Sequence, residues 1–480
     1  MDIYYKKVQM IKDSSFYLLS QVVTPLMNFI TVPIVTSILS IEDYGFFVIY
    51  LATLNFMMMF GSSWLVTTVL RFQDRIKSNY SFTPSLLCLQ LILSFVVILV
   101  SIIVDQFYTI MPRLSGYEKA TFFLLFFVNS YFELYLGYCR SANQSKKYSI
   151  YFSVSSVLKS IVAVGLLWYT QSITYFFVGW LFISSLLLIF IYFKEVSVRT
   201  IKMEVISRKE MRSVVSYGFP FVFTGLGGLL ISQIDKYMLL NLNDSAKVGI
   251  YNVTFLVANY SVGILATVLI MASYPIIVEK WESKKSDTEY AEFMDSQIDL
   301  FLGTCLPALI GVILIGRDLI SVVFNDDFLV ESNVLIFIAT SSLVASFLQY
   351  LQKSFVLHKH TVVQSYIYLF GAFVNIVLNY VLIPRYGVLG ASISTLVTFL
   401  IIFTIVLFYN YMKWKIMWFG NVLEVAKIIT SSAVMFVTVQ YFKEFVTNTV
   451  LSILVSVVLG VVVYISMVLT LRVKSIKRYI

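Results

Sequence analysis

Apolar stretches of about 20 residues follow one another from Ser14 to Thr470, with only short polar breaks between them. The hydrocarbon core of a membrane offers the backbone no hydrogen-bond partner, so only helices or a closed barrel can cross it. These uninterrupted runs lack the alternation of barrel strands. The chain is 59% hydrophobic and 13% charged, whereas soluble proteins are about 25% charged. We therefore predict an all-α polytopic membrane protein.

The apolar runs predict fourteen transmembrane helices. Each predicted span is long enough, or nearly so, to cross a bilayer at about 1.5 Å per residue. The predicted spans cover residues 14–40, 46–70, 84–104, 120–139, 150–170, 174–193, 213–234, 249–277, 298–316, 332–352, 361–383, 388–411, 424–441 and 449–470.

The distribution of basic residues predicts the orientation of these spans. With the N-terminus inside, 26 of the 35 Lys and Arg residues fall near cytoplasmic span ends and six near outer ones. Both termini are therefore expected in the cytoplasm. The first span lacks a small-residue cleavage pattern, so we expect a retained helix rather than a secretory signal. The net charge of +9 follows from this topology and requires no nucleic-acid partner.

A long basic break and a short internal similarity indicate two bundles. The segment ILSIEDYGFFVIYLATL, which contains Gly45, resembles NLNDSAKVGIYNVTFLV, which contains Gly249, at the same kind of turn. The halves then repeat in parallel, although chance similarity between apolar segments remains an alternative. The predicted domains are residues 1–193, a cytoplasmic linker at 194–212, a second six-helix bundle at 213–411, and a final helix pair with a basic tail at 412–480.

Charged side chains within spans are the first candidates for a site, because each costs about 2.5–3.5 kcal/mol to insert. Lys159 lies near the middle of its span and is the strongest candidate, although a structural pair with Glu133 would also explain it. Asp235 is a second acidic candidate, unless it snorkels at the span end. Arg71 and Arg140 close two spans on the cytoplasmic side, where ordinary positive-inside anchoring is the alternative.

Amide side chains form a second set of candidates. Asn375 and Asn379 are four residues apart and share one helix face. Together with Asn28, Asn55 and other uncharged polar residues in the spans, they predict a wet interior lined by hydrogen-bond donors. Hydrogen bonding between neighbouring helices is the alternative for each amide taken singly.

The remaining polar features do not indicate an enzyme. Three cysteines lie singly in separate apolar runs, and the two histidines lack further metal ligands nearby. Outer connections reach only about fifteen residues, at 105–119 and 317–331, which leaves little room for an active site. The charged segment EKWESKKSDTEYAEFMDSQID at 279–299 is expected to form an interfacial helix, with a solvated loop as the alternative.

The stretch VNIVLNYVLIPRYGVLGASISTLVTF at 374–399 carries a family resemblance. It resembles the Asn-x-x-Leu-x-Pro-x-x-Gly-x-x-Gly-Ala pattern of Wzx-type polysaccharide repeat-unit flippases, in the multidrug/oligosaccharidyl-lipid/polysaccharide (MOP) superfamily. PIVTSILSIEDYGFF, QIDKYML and VGIYNVTFLVANY are further matches. Physically, Pro384 and Gly387 predict a tight outer turn, and Gly390 predicts close packing of the next helix.

The resemblance implies a MATE-like fold, with two six-helix bundles in a V and an appended helix pair. It also implies alternating-access transport of undecaprenyl-diphosphate-linked oligosaccharide to the outer leaflet of the bacterial cytoplasmic (inner) membrane, for O-antigen, lipopolysaccharide or capsule. Lys159, Arg71 and Arg140 would neutralise the diphosphate while the amides hold the glycan. Glu133 or Asp235 would take a proton, in a cycle coupled to a proton or sodium gradient and needing no cofactor. Membrane lipids, a polymerase and a chain-length regulator are the expected partners.

Three alternatives stay open. A multidrug antiporter typically has twelve spans and an acid in span one, and residues 14–40 contain neither Asp nor Glu. Lipid II flippases carry arginines in span one that are absent here. A membrane-embedded glycan polymerase or ligase would need a large outer loop.

Overall fold

The structure is a computed structural model that describes residues 20, 22–72, 82–108, 110–195, 206–283 and 286–473. Within these ranges the chain is helical with short connections and contains no strand. Large apolar side chains project from the helices, and Phe95 and Leu99 are 61% and 59% exposed. Such surface is unfavourable in water and suited to lipid. The chain is a multi-pass membrane protein.

The chain divides into two compact units, residues 1–229 and 230–480. The described helices of the first unit are α1 (Val22–Ile38), α2 (Ile41–Arg71), α3 (Phe82–Tyr108), α4 (Gly116–Ser141), α5 (Ser145–Thr170), α6 (Ile173–Glu195) and α7 (Arg208–Gly218). Helix α8 (Pro220–Leu242) contains the boundary. The second unit continues with α9 (Ser245–Glu282), α10 (Asp287–Phe324), α11 (Ser332–Leu357), α12 (Thr361–Tyr386), α13 (Val388–Trp414), α14 (Val422–Lys443) and α15 (Thr449–Thr470).

Helices α2 and α9 share two features that follow the internal similarity. Each begins four residues before the matching glycine, Gly45 or Gly249, behind an N-cap side chain that accepts a backbone hydrogen bond. Each is also interrupted by one π-helical turn, at Met59–Ser63 in α2 and Asn259–Gly263 in α9. Such turns often occur at functional positions in helices. These shared features support the predicted repeat.

The turn between α12 and α13 has the predicted construction. Pro384 lies in the last turn of α12, and Gly387 alone separates the two helices, with φ +55°. That backbone conformation favours glycine. At Gly390 a Cβ atom would lie 2.4 Å from the backbone oxygen of Leu382, so a side chain there would force the helices apart.

The predicted interfacial helix at 279–299 is wrong. Helix α9 extends to Glu282 and α10 begins at Asp287, so the segment belongs to the ends of two long helices. The apolar face is present, but Tyr290 and Met294 are buried. Tyr290 packs against the rings of Trp281 and Trp418, with centroids 5.1 and 5.8 Å away. The protein's own aromatic side chains cover the face that the sequence assigned to the membrane surface.

The helices α14 and α15 pack on α10. Tyr464 of α15 donates a hydrogen bond to the Gly303 oxygen at 2.5 Å, and Met435 and Val439 of α14 share a buried cluster with Leu314. This contact fixes the appended pair to the second unit.

The predicted spans each overlap a described helix, but the number fourteen stays a prediction. Among the described residues, twelve helices are long and apolar enough to span, or thirteen if the bent pair α7 and α8 counts as one span. The described part of the first span, Val22–Ile38, is shorter. Most of residues 1–21 and of the predicted linker lie outside the described residues. The domain boundaries and the cytoplasmic termini likewise remain predictions.

Candidate functional site

Lys159 lies in the middle of α5 and is held by hydrogen bonds between three helices of the first unit. Its Nζ donates to Asn129 Oδ1 of α4 at 2.8 Å. The same oxygen accepts a hydrogen bond from Ser184 Oγ of α6 at 2.9 Å. The Lys159 ammonium also lies 5.3 Å from the centroid of the Phe132 ring, within the range of a cation–π contact. Lys159 itself is half-buried.

Glu133 lies one helical turn from Asn129 on the same face of α4. Its Oε2 accepts a hydrogen bond from Ser62 Oγ at 3.2 Å, and Ser62 belongs to the π-helical turn of α2. Glu133 and Lys159 interact electrostatically, but the ammonium is hydrogen bonded to the amide rather than to the carboxylate. The arrangement is a cation and an anion that are neighbours without a direct hydrogen bond.

The π-helical turn also contacts α3. Gln90 Nε2 donates to the Gly61 oxygen at 3.1 Å and to Ser94 Oγ at 3.0 Å. A Cβ atom at Gly61 would lie 2.5 Å from Phe126 Cζ, so glycine permits the close approach of α2 to α4. Because this approach brings Ser62 to Glu133, the local backbone irregularity positions one of the two charged groups.

The other candidates in the first unit lie elsewhere. Arg71 and Arg140 are exposed at the ends of α2 and α4, and the Arg140 guanidinium lies 5.7 Å from the Tyr148 ring centroid. Asn28 and Asn55 are exposed on α1 and α2. The contacts among the described residues do not join any of these four to Lys159.

Asn375 and Asn379 are fully buried between α12 and α13 of the second unit. Asn375 Nδ2 donates to Thr398 Oγ1 at 3.3 Å, and Asn379 Nδ2 donates to Asn375 Oδ1 at 3.0 Å. The Asn375–Thr398 contact is a hydrogen bond between helices, which was the alternative interpretation, whereas the Asn379–Asn375 contact lies within α12. Substrate binding by these amides stays an untested prediction.

Asp235 forms a polar cluster inside the second unit. Its side chain accepts hydrogen bonds from the Tyr251 hydroxyl of α9 and, at 2.8 Å, from the Lys236 backbone N–H. The Tyr251 hydroxyl also lies 3.4 Å from Thr395 Oγ1 of α13. Asp235 and Lys236 are 2% and 7% exposed, so neither snorkels to a surface. The carboxylate thus joins α8 and α9, and Tyr251 extends the contact to α13.

The predicted site residues therefore fall into separate groups, and several of their partners were missed. Asn129 is recognisable in the sequence as an amide within a span, whereas Ser62, Ser184 and Thr395 carry no signal because small hydroxyl residues are frequent in these helices. Among the described residues, no three His, Cys, Asp or Glu side chains come together as metal ligands.

A family model described as "Polysaccharide biosynthesis protein" matches residues 10–281, more than half of the chain. The chain belongs to this polysaccharide biosynthesis family. The predicted resemblance to the MOP superfamily is thereby confirmed.

One curated relative is the "Probable low-salt glycan biosynthesis flippase Agl15" of Haloferax volcanii, which is 23% identical over 270 residues. The match covers 54% of each protein, so the chain spans about half the length of this relative.

Two solved structures show the same fold. "Lipid II flippase MurJ, inward closed conformation" has a TM-score of 0.76 and 16% identity, with 96% of this chain and 99% of that chain covered. An outward-facing multidrug resistance MATE family transporter of the MOP superfamily has a TM-score of 0.55 and 12% identity, with 88% and 96% covered. The predicted MATE-like fold is confirmed. These proteins are named as flippases or transporters, in agreement with the prediction that the chain is not an enzyme.

Proposed function

We propose that the chain is a flippase that moves undecaprenyl-diphosphate-linked oligosaccharide repeat units from the inner to the outer leaflet of the bacterial cytoplasmic membrane. The product would supply O-antigen, capsule or another surface polysaccharide, with a polymerase and a chain-length regulator as the expected partners. The observation that carries the proposal is membership of the polysaccharide biosynthesis family. The glycan-flippase name of the archaeal relative and the fold shared with a lipid II flippase support it.

The contacts of Lys159 fit the chemistry of such a substrate. A diphosphate crossing the bilayer needs a positive partner at membrane depth, and cations there are rare because they are costly. Lys159 supplies that charge near the middle of α5, and among the described residues its direct hydrogen bond is to a neutral amide. Arg71 and Arg140 would collect the diphosphate at the cytoplasmic end, where both are exposed. Each negative charge that leaves the cell gains about 2.3 kcal/mol per 100 mV of inside-negative potential.

The empty carrier must then return, and a carboxylate is the proposed coupling group. Glu133 is the first candidate because it interacts electrostatically with Lys159. A proton on Glu133 would remove its negative charge and leave the ammonium more attractive to the diphosphate. Asp235 is the second candidate, held between α8 and α9. Sodium remains the competing coupling ion.

The test is complementation of a bacterium that lacks its own repeat-unit flippase. We expect the wild-type chain to restore surface polysaccharide and Lys159→Ala to abolish it at matched membrane abundance. Lys194→Ala is the matched control, because Lys194 is an exposed lysine at the end of α6. Restoration of surface polysaccharide by the Lys159→Ala variant would exclude Lys159 as the cationic site.

Lipid II transport is the competing function, since the lipid II flippase has the same fold. A second strain, depleted of its lipid II flippase, separates the two. Rescue of growth there, without restored surface polysaccharide in the first strain, would refute the repeat-unit proposal.

A further inference from the structure

A cavity of about 450 Å³ lies in the second unit, where the ends of α10 and α14 meet the starts of α11 and α15. In the predicted topology these helix ends are on the outer side of the membrane. The lining contains two cations, Arg317 and Lys443, and one carboxylate, Asp318. Hydroxyl and amide groups complete the polar wall, supplied by Ser321, Ser332, Gln440 and Thr449.

Basic residues on the outer side are few, and most of them are already neutralised. Six of the 35 Lys and Arg residues fall in predicted outer connections. Four of these six form ion pairs, which are Arg113–Asp43, Lys119–Asp105, Lys247–Asp244 and Lys443–Asp318. None of the ion pairs among the described residues includes Arg317, whose Nη1 lies 3.5 Å from the neutral Ser332 Oγ. Arg317 therefore lines the cavity as a cation without a carboxylate partner.

Lys443 has a different role in the same cavity. Its Nζ lies 2.7 Å from Asp318 Oδ2 and donates to the Leu314 oxygen at 2.6 Å. Both partners are on α10, so Lys443 ties α14 to α10 and closes one wall. Its charge is compensated by Asp318, and the positive charge offered to a ligand is that of Arg317.

We propose that this cavity binds the headgroup of a membrane phospholipid, with the phosphate on Arg317. A guanidinium binds phosphate oxygens through two parallel hydrogen bonds. On the two helices that contribute Gln440 and Thr449 to the lining, Val437 of α14 and Leu451 of α15 are 65% and 52% exposed, which suits contact with acyl chains. A lipid that lies along these faces places its phosphate at the level of the helix ends.

The acidic residue next to the cavity favours a zwitterionic headgroup. Ser321 lines the cavity and donates its hydroxyl proton to Asp326. The Asp326 carboxylate is thus one hydrogen bond away from the lining and is placed to attract an ammonium group. Phosphatidylethanolamine carries both charges, so it is the headgroup that this cavity selects over phosphatidylglycerol.

Native mass spectrometry of the purified full chain, titrated with phosphatidylethanolamine or phosphatidylglycerol, tests the site. We expect Arg317→Gln to weaken phosphatidylethanolamine binding about tenfold, as for loss of one charged hydrogen-bonding partner. Asp326→Asn should reduce the preference for phosphatidylethanolamine while phosphatidylglycerol binding is kept. Arg385→Gln is the matched control, because Arg385 is an exposed outer arginine at the end of α12.

Four results would overturn the proposal. Equal phospholipid binding by wild type and Arg317→Gln, at unchanged thermal stability, would remove Arg317 from any lipid site. An equal loss of phosphatidylethanolamine binding in Arg385→Gln would show that the effect comes from general surface charge. Competition by millimolar inorganic phosphate, or tighter binding of a polyprenyl diphosphate, would reassign the cavity to free phosphate or to the transported lipid.

Discussion

The substitution Asn129→Asp tests whether the positive charge of Lys159 is used in transport. It replaces the amide NH2 by an oxygen, so the side chain keeps its shape and its acceptor for both Lys159 and Ser184. It also places a carboxylate where the Lys159 ammonium is 2.8 Å from the side-chain oxygen. At an effective dielectric constant of about 20, two unit charges at that distance attract by about 6 kcal/mol before desolvation. The variant therefore neutralises Lys159 without removing it.

We expect transport to fall at least tenfold while thermal stability in detergent is unchanged or raised. A hydrogen bond between charged groups contributes about 1.5–3 kcal/mol, and 1.4 kcal/mol corresponds to a factor of ten. The assay is flipping of lipid-linked oligosaccharide in proteoliposomes at equal protein density. Ser184→Ala is the control, because it removes only the neutral contacts of one hydroxyl, with Asn129 and the Trp180 backbone oxygen, and leaves every charge in place.

Wild-type transport by a stable Asn129→Asp variant would refute the cationic site. An equal loss in Ser184→Ala would show that the region matters through packing rather than through charge. Loss in the aspartate variant alone would support the binding of an anion by Lys159.

Two further predictions concern helix packing and coupling. Gly390→Ala should lower the unfolding temperature by a few degrees, because its Cβ would meet the Leu382 backbone at 2.4 Å and overpacking costs about 1–3 kcal/mol. Gly165→Ala, with open space around the new Cβ, should not lower it, and an unaffected Gly390→Ala would contradict the close approach. Glu133→Gln keeps an acceptor for Ser62 but cannot take a proton, so flipping should lose its response to an imposed pH gradient. A response equal to that of wild type would exclude Glu133, and Asp235→Asn would then be the variant to measure.

The helices were predictable because lipid imposes a simple rule on sequence. A segment that crosses about 30 Å of hydrocarbon must form a helix to satisfy its own backbone hydrogen bonds, and it must carry apolar side chains. Long apolar runs of this kind are visible directly in the sequence. The α12–α13 turn was predictable for a related reason, since Pro384 restricts the backbone and Gly387 permits the positive φ that the turn requires. Features of this kind depend on one segment of chain at a time.

The contacts of Lys159 depend on several segments and were only partly predictable. Asn129 and Glu133 are four residues apart and lie on the same face of α4, so spacing alone cannot select which of them meets the ammonium. Ser62 donates a hydrogen bond to Glu133 and so engages that carboxylate. Ser62 lies in a π-helical turn that no local sequence pattern predicts. The covered aromatic face around Tyr290 shows the same limit, because amphipathic spacing does not tell a membrane surface from a protein surface.

The choice of an amide as the direct partner of Lys159 has a consequence for transport. Had Glu133 been the direct partner, each substrate would have to break a buried ion pair, and separating such a pair costs about 3–5 kcal/mol. An amide oxygen is a weaker competitor, so a phosphate oxygen can replace it at smaller cost. In the proposed cycle Glu133, which interacts electrostatically with Lys159, would reduce the affinity for an anion and so favour release. The proposed carrier would have to bind and release its substrate in every cycle, and a lysine that is hydrogen bonded to an amide beside a carboxylate fits both requirements.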